Sequence, residues 1–140
     1  MNVRTLNLVA FVTGLFGTSI AAADFVGTEA LMCSLGHVIE CIVDSECRTV
    51  TNSSVDAPDF VKLNFRKKQI VSMTAGKDSP AQDITVTDLT THLFVQGTQG
   101  SGQGDALGYS LSIDKATGQM TGAAAGENAG FIIFGACTPI

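Results

Sequence analysis

Positive charge is scarce in this chain of 140 residues: eight lysines and arginines stand against thirteen aspartates and glutamates, a formal net charge of −5. The one basic run, Arg66-Lys67-Lys68, is too short to reverse that balance, so the chain repels a phosphate backbone and nucleic acid is a poor partner. Long apolar runs are missing after the first 23 residues. No later segment approaches the roughly 20 apolar residues of a spanning helix, so no membrane span is expected in the processed chain. Signatures of catalysis are also absent. No G-x-S-x-G elbow occurs; Gly108-Tyr-Ser-Leu-Ser112 approaches one but ends in serine. Histidine occurs only as His37 and His92, and neither spacing nor context ties either one to a serine. The glycines from Gly97 to Gly104 are followed by Asp105-Ala-Leu-Gly108 and a strand pattern, without the lysine and helix that a phosphate-cradling loop needs. No catalytic residue and no cofactor is assigned on these grounds.

What is present begins with an export pattern. The first 23 residues, MNVRTLNLVAFVTGLFGTSIAAA, carry one early cation at Arg4, an apolar stretch, then small residues ending in Ala21-Ala22-Ala23. This is the three-part form of a secretory signal peptide, and it predicts cleavage after Ala23 and a periplasmic or secreted product. Residues 24–140 then suit one domain with one hydrophobic core.

Nearly all of that domain reads at period two. Val61, Leu63 and Phe65 alternate with Lys62, Asn64 and Arg66, as in a strand with one wet face. Further strands are predicted over Ile70–Thr74, Asp83–Leu89, Thr91–Gln96, Gly108–Asp114, Gln119–Ala124 and Ala129–Cys137. Thr91–Gln96 and Ala129–Cys137 are apolar on both faces, which predicts strands covered on both sides. Asp114-Lys-Ala-Thr-Gly118 reads as a hairpin turn with its glycine at positive φ. A short helix or a loop fits Thr51–Asp59, and Asn52-Ser-Ser54 has the form of a glycosylation acceptor. Seven or eight strands with no convincing amphipathic helix indicate an all-β antiparallel meander forming a small barrel or sandwich.

The stretch Cys33-Ser-Leu-Gly-His-Val-Ile-Glu-Cys41-Ile-Val-Asp-Ser-Glu-Cys47 concentrates three of the four cysteines. Haem attachment needs histidine directly after the second of two closely spaced cysteines, and His37 stands midway between Cys33 and Cys41 instead. Structural zinc favours a tight thiolate knuckle, which no pair here supplies, so no metal site is assigned. Redox dithiols need a two-residue spacing that is also missing. Disulfides need only an oxidising compartment and an even count. Three pairings are open. Asp44-Ser45, midway between Cys41 and Cys47, is good turn chemistry and favours Cys41–Cys47, which leaves Cys33 for Cys137.

Several stretches together carry a resemblance: the spaced cysteines, Ala57-Pro-Asp-Phe-Val-Lys-Leu-Asn-Phe65, Leu93-Phe-Val-Gln-Gly97, Gly108-Tyr-Ser-Leu-Ser-Ile-Asp-Lys-Ala-Thr-Gly-Gln-Met120 and the ending Gly130-Phe-Ile-Ile-Phe-Gly-Ala-Cys-Thr138. They resemble a family of small exported proteobacterial proteins without an assigned biochemical function. The resemblance implies export and the β fold and supplies no catalytic residues. The chain departs from the family pattern in a longer, glycine-richer loop over Gly97–Gly104 and in Tyr109, where tryptophan is expected. The functional expectation is a non-catalytic binding or interaction module. Its ligand is a small apolar molecule inside a barrel, or an envelope component met at a mobile loop built from Gly97, Gly100, Gly102 and Gly104 with Tyr109. An exported hydrolase with a site assembled from distant residues, or a structural envelope protein, are the alternatives. A histidine in a pocket beside a serine and an acid favours the enzyme, and an apolar barrel lumen favours a ligand carrier.

Overall fold

A computed structural model describes residue 25 and residues 30–74, 77–100 and 106–140, with the side chains of 77 and 78 left aside. The predicted signal peptide, Gly76, Gly102 and Gly104 lie outside the described residues. Ten strands follow in chain order: β1 (Ala30–Ile42), β2 (Arg48–Val50), β3 (Phe60–Asn64), β4 (Gln69–Thr74), β5 (Lys77–Asp78), β6 (Gln82–Asp88), β7 (His92–Gln99), β8 (Leu107–Asp114), β9 (Gln119–Ala125) and β10 (Ala129–Pro139). A 3-10 turn, Asn52–Val55, stands where a short helix or loop is predicted.

All pairings are antiparallel, and β10 returns to pair with β1 from Leu31↔Pro139 to Ile42↔Ala129. That return closes β1, β3, β4, β6, β7, β8, β9 and β10 into an eight-stranded barrel, with β2 and β5 added beside β1 and β4. Closure decides between the two architectures left open by the sequence, because a barrel removes the free edges that a sandwich keeps.

The period-two pattern fixes which side faces in. Leu31, Cys33, Val61, Leu63, Ile84, Leu93, Val95, Leu111, Ile113, Met120 and Cys137 point inward and are buried. Lys62, Thr85, Thr87, Gln96 and Thr121 alternate outward and are exposed. This apolar-in order is the reverse of the apolar-out order of barrels that face lipid. Phe25 is buried against the same core. Among the described residues no helix is long and apolar enough to cross a membrane.

Two strands differ from their predicted environment. In β7 only Leu93 and Val95 are buried, and Phe94 lies on the outer wall. In β10, Ile132 and Phe134 point outward and remain 39% and 42% exposed. The physical reason is the closure itself: each strand of a single-layered barrel has one inner face, so an apolar residue of the other register must lie outside. The hairpin turn at Asp114–Gly118 forms as read, with Gly118 at φ 74°. A Cβ there would come within 2.4 Å of the Cys137 carbonyl oxygen.

Both favoured cysteine pairings are present. Cys41–Cys47 ties the base of the β1–β2 hairpin, whose turn holds Asp44 at φ 61° and a hydrogen bond from Ser45 N–H to the Ile42 carbonyl at 3.1 Å. Just inside it, Arg48 of β2 donates through Nε and Nη2 to Glu40 Oε2 of β1 at 3.1 and 2.8 Å. Cys33–Cys137 joins the two strands that close the barrel.

Candidate functional site

The inward side chains do not fill the barrel evenly. Towards the turns that join β3 to β4, β6 to β7 and β8 to β9, Leu31, Leu63, Leu93 and Ile113 meet the Cys33–Cys137 bridge, and Met120 Sδ lies 3.9 Å from Cys137 Sγ. Towards the opposite end Leu35, Val38, Tyr109, Ala124 and Phe131 leave space between them. There a cavity of about 110 Å³ remains, walled by Val38, Ile70, Leu111, Ala124, Phe131 and Ile133. Val55, Ala57 and Pro58 roof one side of it. That roof is held by Asn52, whose Nδ2 donates to the Leu35 carbonyl at 2.8 Å, and by the Leu35 N–H bonded to the Asp59 carbonyl at 2.9 Å. Asn52 therefore serves as a strut in this fold, with its amide partly buried.

Asp56, Ser72, Gln82 and Gln99 also line the cavity, and Tyr109 brings a buried hydroxyl to it. The tyrosine stands on β8 opposite Gly97 of β7 and Ala124 of β9. A Cβ on Gly97 would meet Tyr109 Oη at 2.3 Å and Cζ at 2.6 Å, so the end of the tyrosine ring lies directly over that glycine. Only a residue without a side chain leaves room for the ring to lie across the strand. The hydroxyl is buried and has no hydrogen-bond partner among the described residues. Desolvation raises its pKa above the ordinary value of 10.0.

The wall is thin beside this site. β4 and β6 share only the register pairs Gln69↔Asp83 and Ile70↔Gln82, whereas β7 and β8 pair from His92↔Asp114 to Gln99↔Leu107. Beyond Ile70 the chain of β4 turns to other partners. Ser72 N–H donates to Ser79 Oγ at 3.1 Å, and Ser79 N–H to the Ser72 carbonyl at 2.8 Å. Ser72 and Gln82, on the two sides of this seam, both line the cavity.

Comparison of the chain with protein-family models, with curated proteins and with solved structures finds no match. The site is therefore read from its own chemistry.

Of the residues marked as a binding loop, the structure moves two out of the loop. β7 runs on to Gln99, so Gly97 is a strand residue beneath Tyr109, and Tyr109 faces the lumen. Gly100, at φ 127°, stands just beyond β7 and is exposed. The loop expectation missed Leu111, Ala124 and Phe131, and the signal that could have found them is their inward register with Tyr109. Both histidines lie on the outer wall. His37 neighbours Phe134, with ring centroids 6.1 Å apart. His92 shares a 2.9 Å hydrogen bond with Thr91 Oγ1, and its Nε2 is 3.8 Å from Asp114 Oδ2, with the Phe94 ring stacked alongside. Neither lines the lumen, and among the described residues neither hydrogen-bonds a serine. All four cysteines are in disulfides, and no cluster of three metal-ligating side chains occurs among the described residues.

Asp114 holds the β8–β9 turn. Its Oδ1 accepts the Thr117 N–H at 2.8 Å, the Thr117 hydroxyl at 2.9 Å and the Ala116 N–H at 2.9 Å. The Thr117 N–H, then the Thr117 hydroxyl, hold its carboxyl below the ordinary value of 3.8. A lowered folded-state pKa means stabilisation that is present above the unfolded value and lost as the pH falls through the folded one. Asp114→Asn should therefore melt below the wild type at neutral pH, with the gap closing as the pH falls below 3.8. Thermal melts across pH check this, and a gap independent of pH would show that the charge of Asp114 plays no part.

Proposed function

We propose that this protein is an exported binding module whose barrel lumen takes up a small apolar molecule. The observation that carries the reading is the uneven filling of the barrel: one end holds the buried cluster around the Cys33–Cys137 bridge, and the other keeps a largely apolar space of about 110 Å³. A packed protein interior normally leaves few voids larger than a water molecule, and voids of methyl size and above are destabilising. A retained apolar cavity is what a ligand site requires. Export is supported by the signal-like first 23 residues, by the two disulfides, which persist in oxidising compartments, and by the resemblance to small exported proteobacterial proteins.

Size narrows the ligand. The space is somewhat below the roughly 150 Å³ of an apolar cavity that stays dry and holds benzene. A single ring or a short branched chain fits, and a lipid acyl chain does not fit wholly inside. Binding free energy has a ceiling of about 1.5 kcal/mol per non-hydrogen atom, and ordinary small ligands fall well short of it, so affinities from about micromolar to millimolar follow. The seam between β4 and β6, where two register pairs join the strands, borders this space at Ser72 and Gln82.

The test is a titration of the protein with methylcyclohexane, followed by methyl resonances in NMR, beside the same titration of Ala124→Leu. Ala124 lines the lumen on β9, so the larger side chain occupies the ligand's space. Shifts confined to lumen methyls are expected, with affinity at least about fivefold weaker in the variant, since overfilling a site of this size costs about 1–3 kcal/mol. Equal binding by the two proteins, or shifts spread over the outer wall, would overturn the reading. Native mass spectrometry of the protein purified from its own envelope should carry an added mass of the same size class.

A further inference from the structure

The wall of the lumen is apolar enough to retain a hydrocarbon, yet it carries one buried hydroxyl with no partner among the described residues. An unpaired buried polar group costs free energy that a phenylalanine at the same place would not. Tyr109 is the only tyrosine of the chain, and its ring has a glycine cleared beneath it. We infer that Tyr109 Oη is a ligand anchor, and that the lumen selects a small neutral molecule that is apolar over most of its surface and carries one hydrogen-bond acceptor, a ketone, ether or ester oxygen. This rests on the lumen reading above and adds to it the polar group the ligand must bear.

Three features of the site support this class. The hydroxyl lies over β7 at Gly97, whose other neighbour is Ile84 of β6, on the seam side of the lumen that the Tyr109 side chain lines. The inner wall of Leu111, Ala124, Phe131 and Ile133 is apolar, and of the polar residues that also line the cavity, Asp56, Ser72, Gln82 and Gln99, only Asp56 carries a charge, so an anion would have to shed its hydration there with nothing to offset it. The phenol itself stays neutral, since burial raises its pKa, and a neutral phenol donates a hydrogen bond where a phenolate cannot. The phenol therefore offers a donor, which an acceptor oxygen on the ligand would satisfy.

Cyclohexanone and methylcyclohexane are nearly equal in shape and differ in the acceptor, so they serve as the probe pair. Their hydration differs greatly, and the absolute affinities alone do not report on Tyr109. The ratio of the two affinities, compared between wild type and Tyr109→Phe, cancels that difference, as a double-mutant cycle does. The ketone-to-hydrocarbon ratio is expected to fall about tenfold in Tyr109→Phe, the equivalent of one hydrogen bond of about 1.4 kcal/mol. The ligand-free variant should melt higher than the wild type, because it loses an unpaired hydroxyl and keeps the ring.

The wild type alone gives a second readout that needs no variant. The carbonyl stretch of bound cyclohexanone should shift to lower frequency, as for a hydrogen-bonded ketone. With no tryptophan in the chain, tyrosine emission should change as the ligand enters. An unchanged affinity ratio, or a bound carbonyl at its hydrocarbon-solvent frequency, overturns the anchor while leaving lumen binding intact. Failure of both probes to bind overturns the lumen reading and the anchor together.

Discussion

Replacing Cys33 and Cys137 together by alanine is expected to lower the stability of the barrel by about 4.7 kcal/mol, whereas replacing Cys41 and Cys47 together should cost about 2.4 kcal/mol. The figures follow from the loops the bridges close in the unfolded chain, with sequence separations of 104 and 6. The difference lies in what each bridge holds. Cys41–Cys47 reinforces a local hairpin that Glu40 and Arg48 already pin. Cys33–Cys137 joins the first and last strands of the barrel, the pair whose contact costs the chain most entropy to form. Its sulfurs are also core atoms, so the alanine pair loses packing against Met120. Set against the roughly 5–15 kcal/mol that hold a typical domain, the long bridge is a large share and the short one is not. Urea unfolding of the two double variants and the wild type measures both losses, and equal losses would show that closure of β1 on β10 is not what the long bridge secures.

Much of this architecture was legible in the sequence because it depends on local rules. Alternation in Phe60–Phe65 and Tyr109–Ile113 marks strands with one buried side, and Asp114 followed four residues later by Gly118 marks a turn that one carboxylate and one positive-φ glycine complete. The short disulfide was legible for the same reason, since Asp44-Ser45 can turn within it. The long one followed by elimination. What local rules do not carry is the closure. Phe94, Ile132 and Phe134 read as second buried faces because their residue type says apolar, while the topology leaves a single inner face per strand. Ile132 and Phe134 gain cover from one another's neighbours instead, between Ala123 and Thr121 of β9 and Ile39 and His37 of β1.

The candidate site was legible only in part, for a related reason. A cavity is a difference between the volume a barrel encloses and the summed volume of side chains from all its strands, and no single segment contains that sum. Tyr109 stood out where the resemblance leads one to expect tryptophan, but its partner signal, Gly97, reads as loop glycine until β7 and β8 are set in register. Once they are, the glycine is the space for the ring, and the tyrosine belongs to the lumen.

Gly135 to alanine is expected to cost about 3 kcal/mol or more, although glycine to alanine within a strand ordinarily gains stability. Gly135 lies on β10 opposite Leu35, at the point where the register of β1 shifts between Leu35 and His37. A Cβ there would come within 1.9 Å of the Ser34 carbonyl oxygen and 2.8 Å of Met120 Cε. Met120 can swing aside. The carbonyl is backbone, held in a strand that pairs with β3 on its other side through Ser34↔Phe60, so relief requires β1 and β10 to part. Gly130, on the same strand, is the control: its Cβ would meet nothing nearer than the Ala124 carbonyl at 3.8 Å, and Gly130→Ala should stay within about 0.5 kcal/mol of the wild type. Thermal or urea unfolding of the two variants separates a general intolerance of β10 from a specific one. Because the strained contact sits between the Cys33–Cys137 bridge and the lumen wall at Leu35 and Ile133, the Gly135 variant should also lose methylcyclohexane binding under conditions where it remains folded. Wild-type stability and binding in Gly135→Ala would mean that the close approach of β1 to β10 is not what sets the dimensions of the lumen.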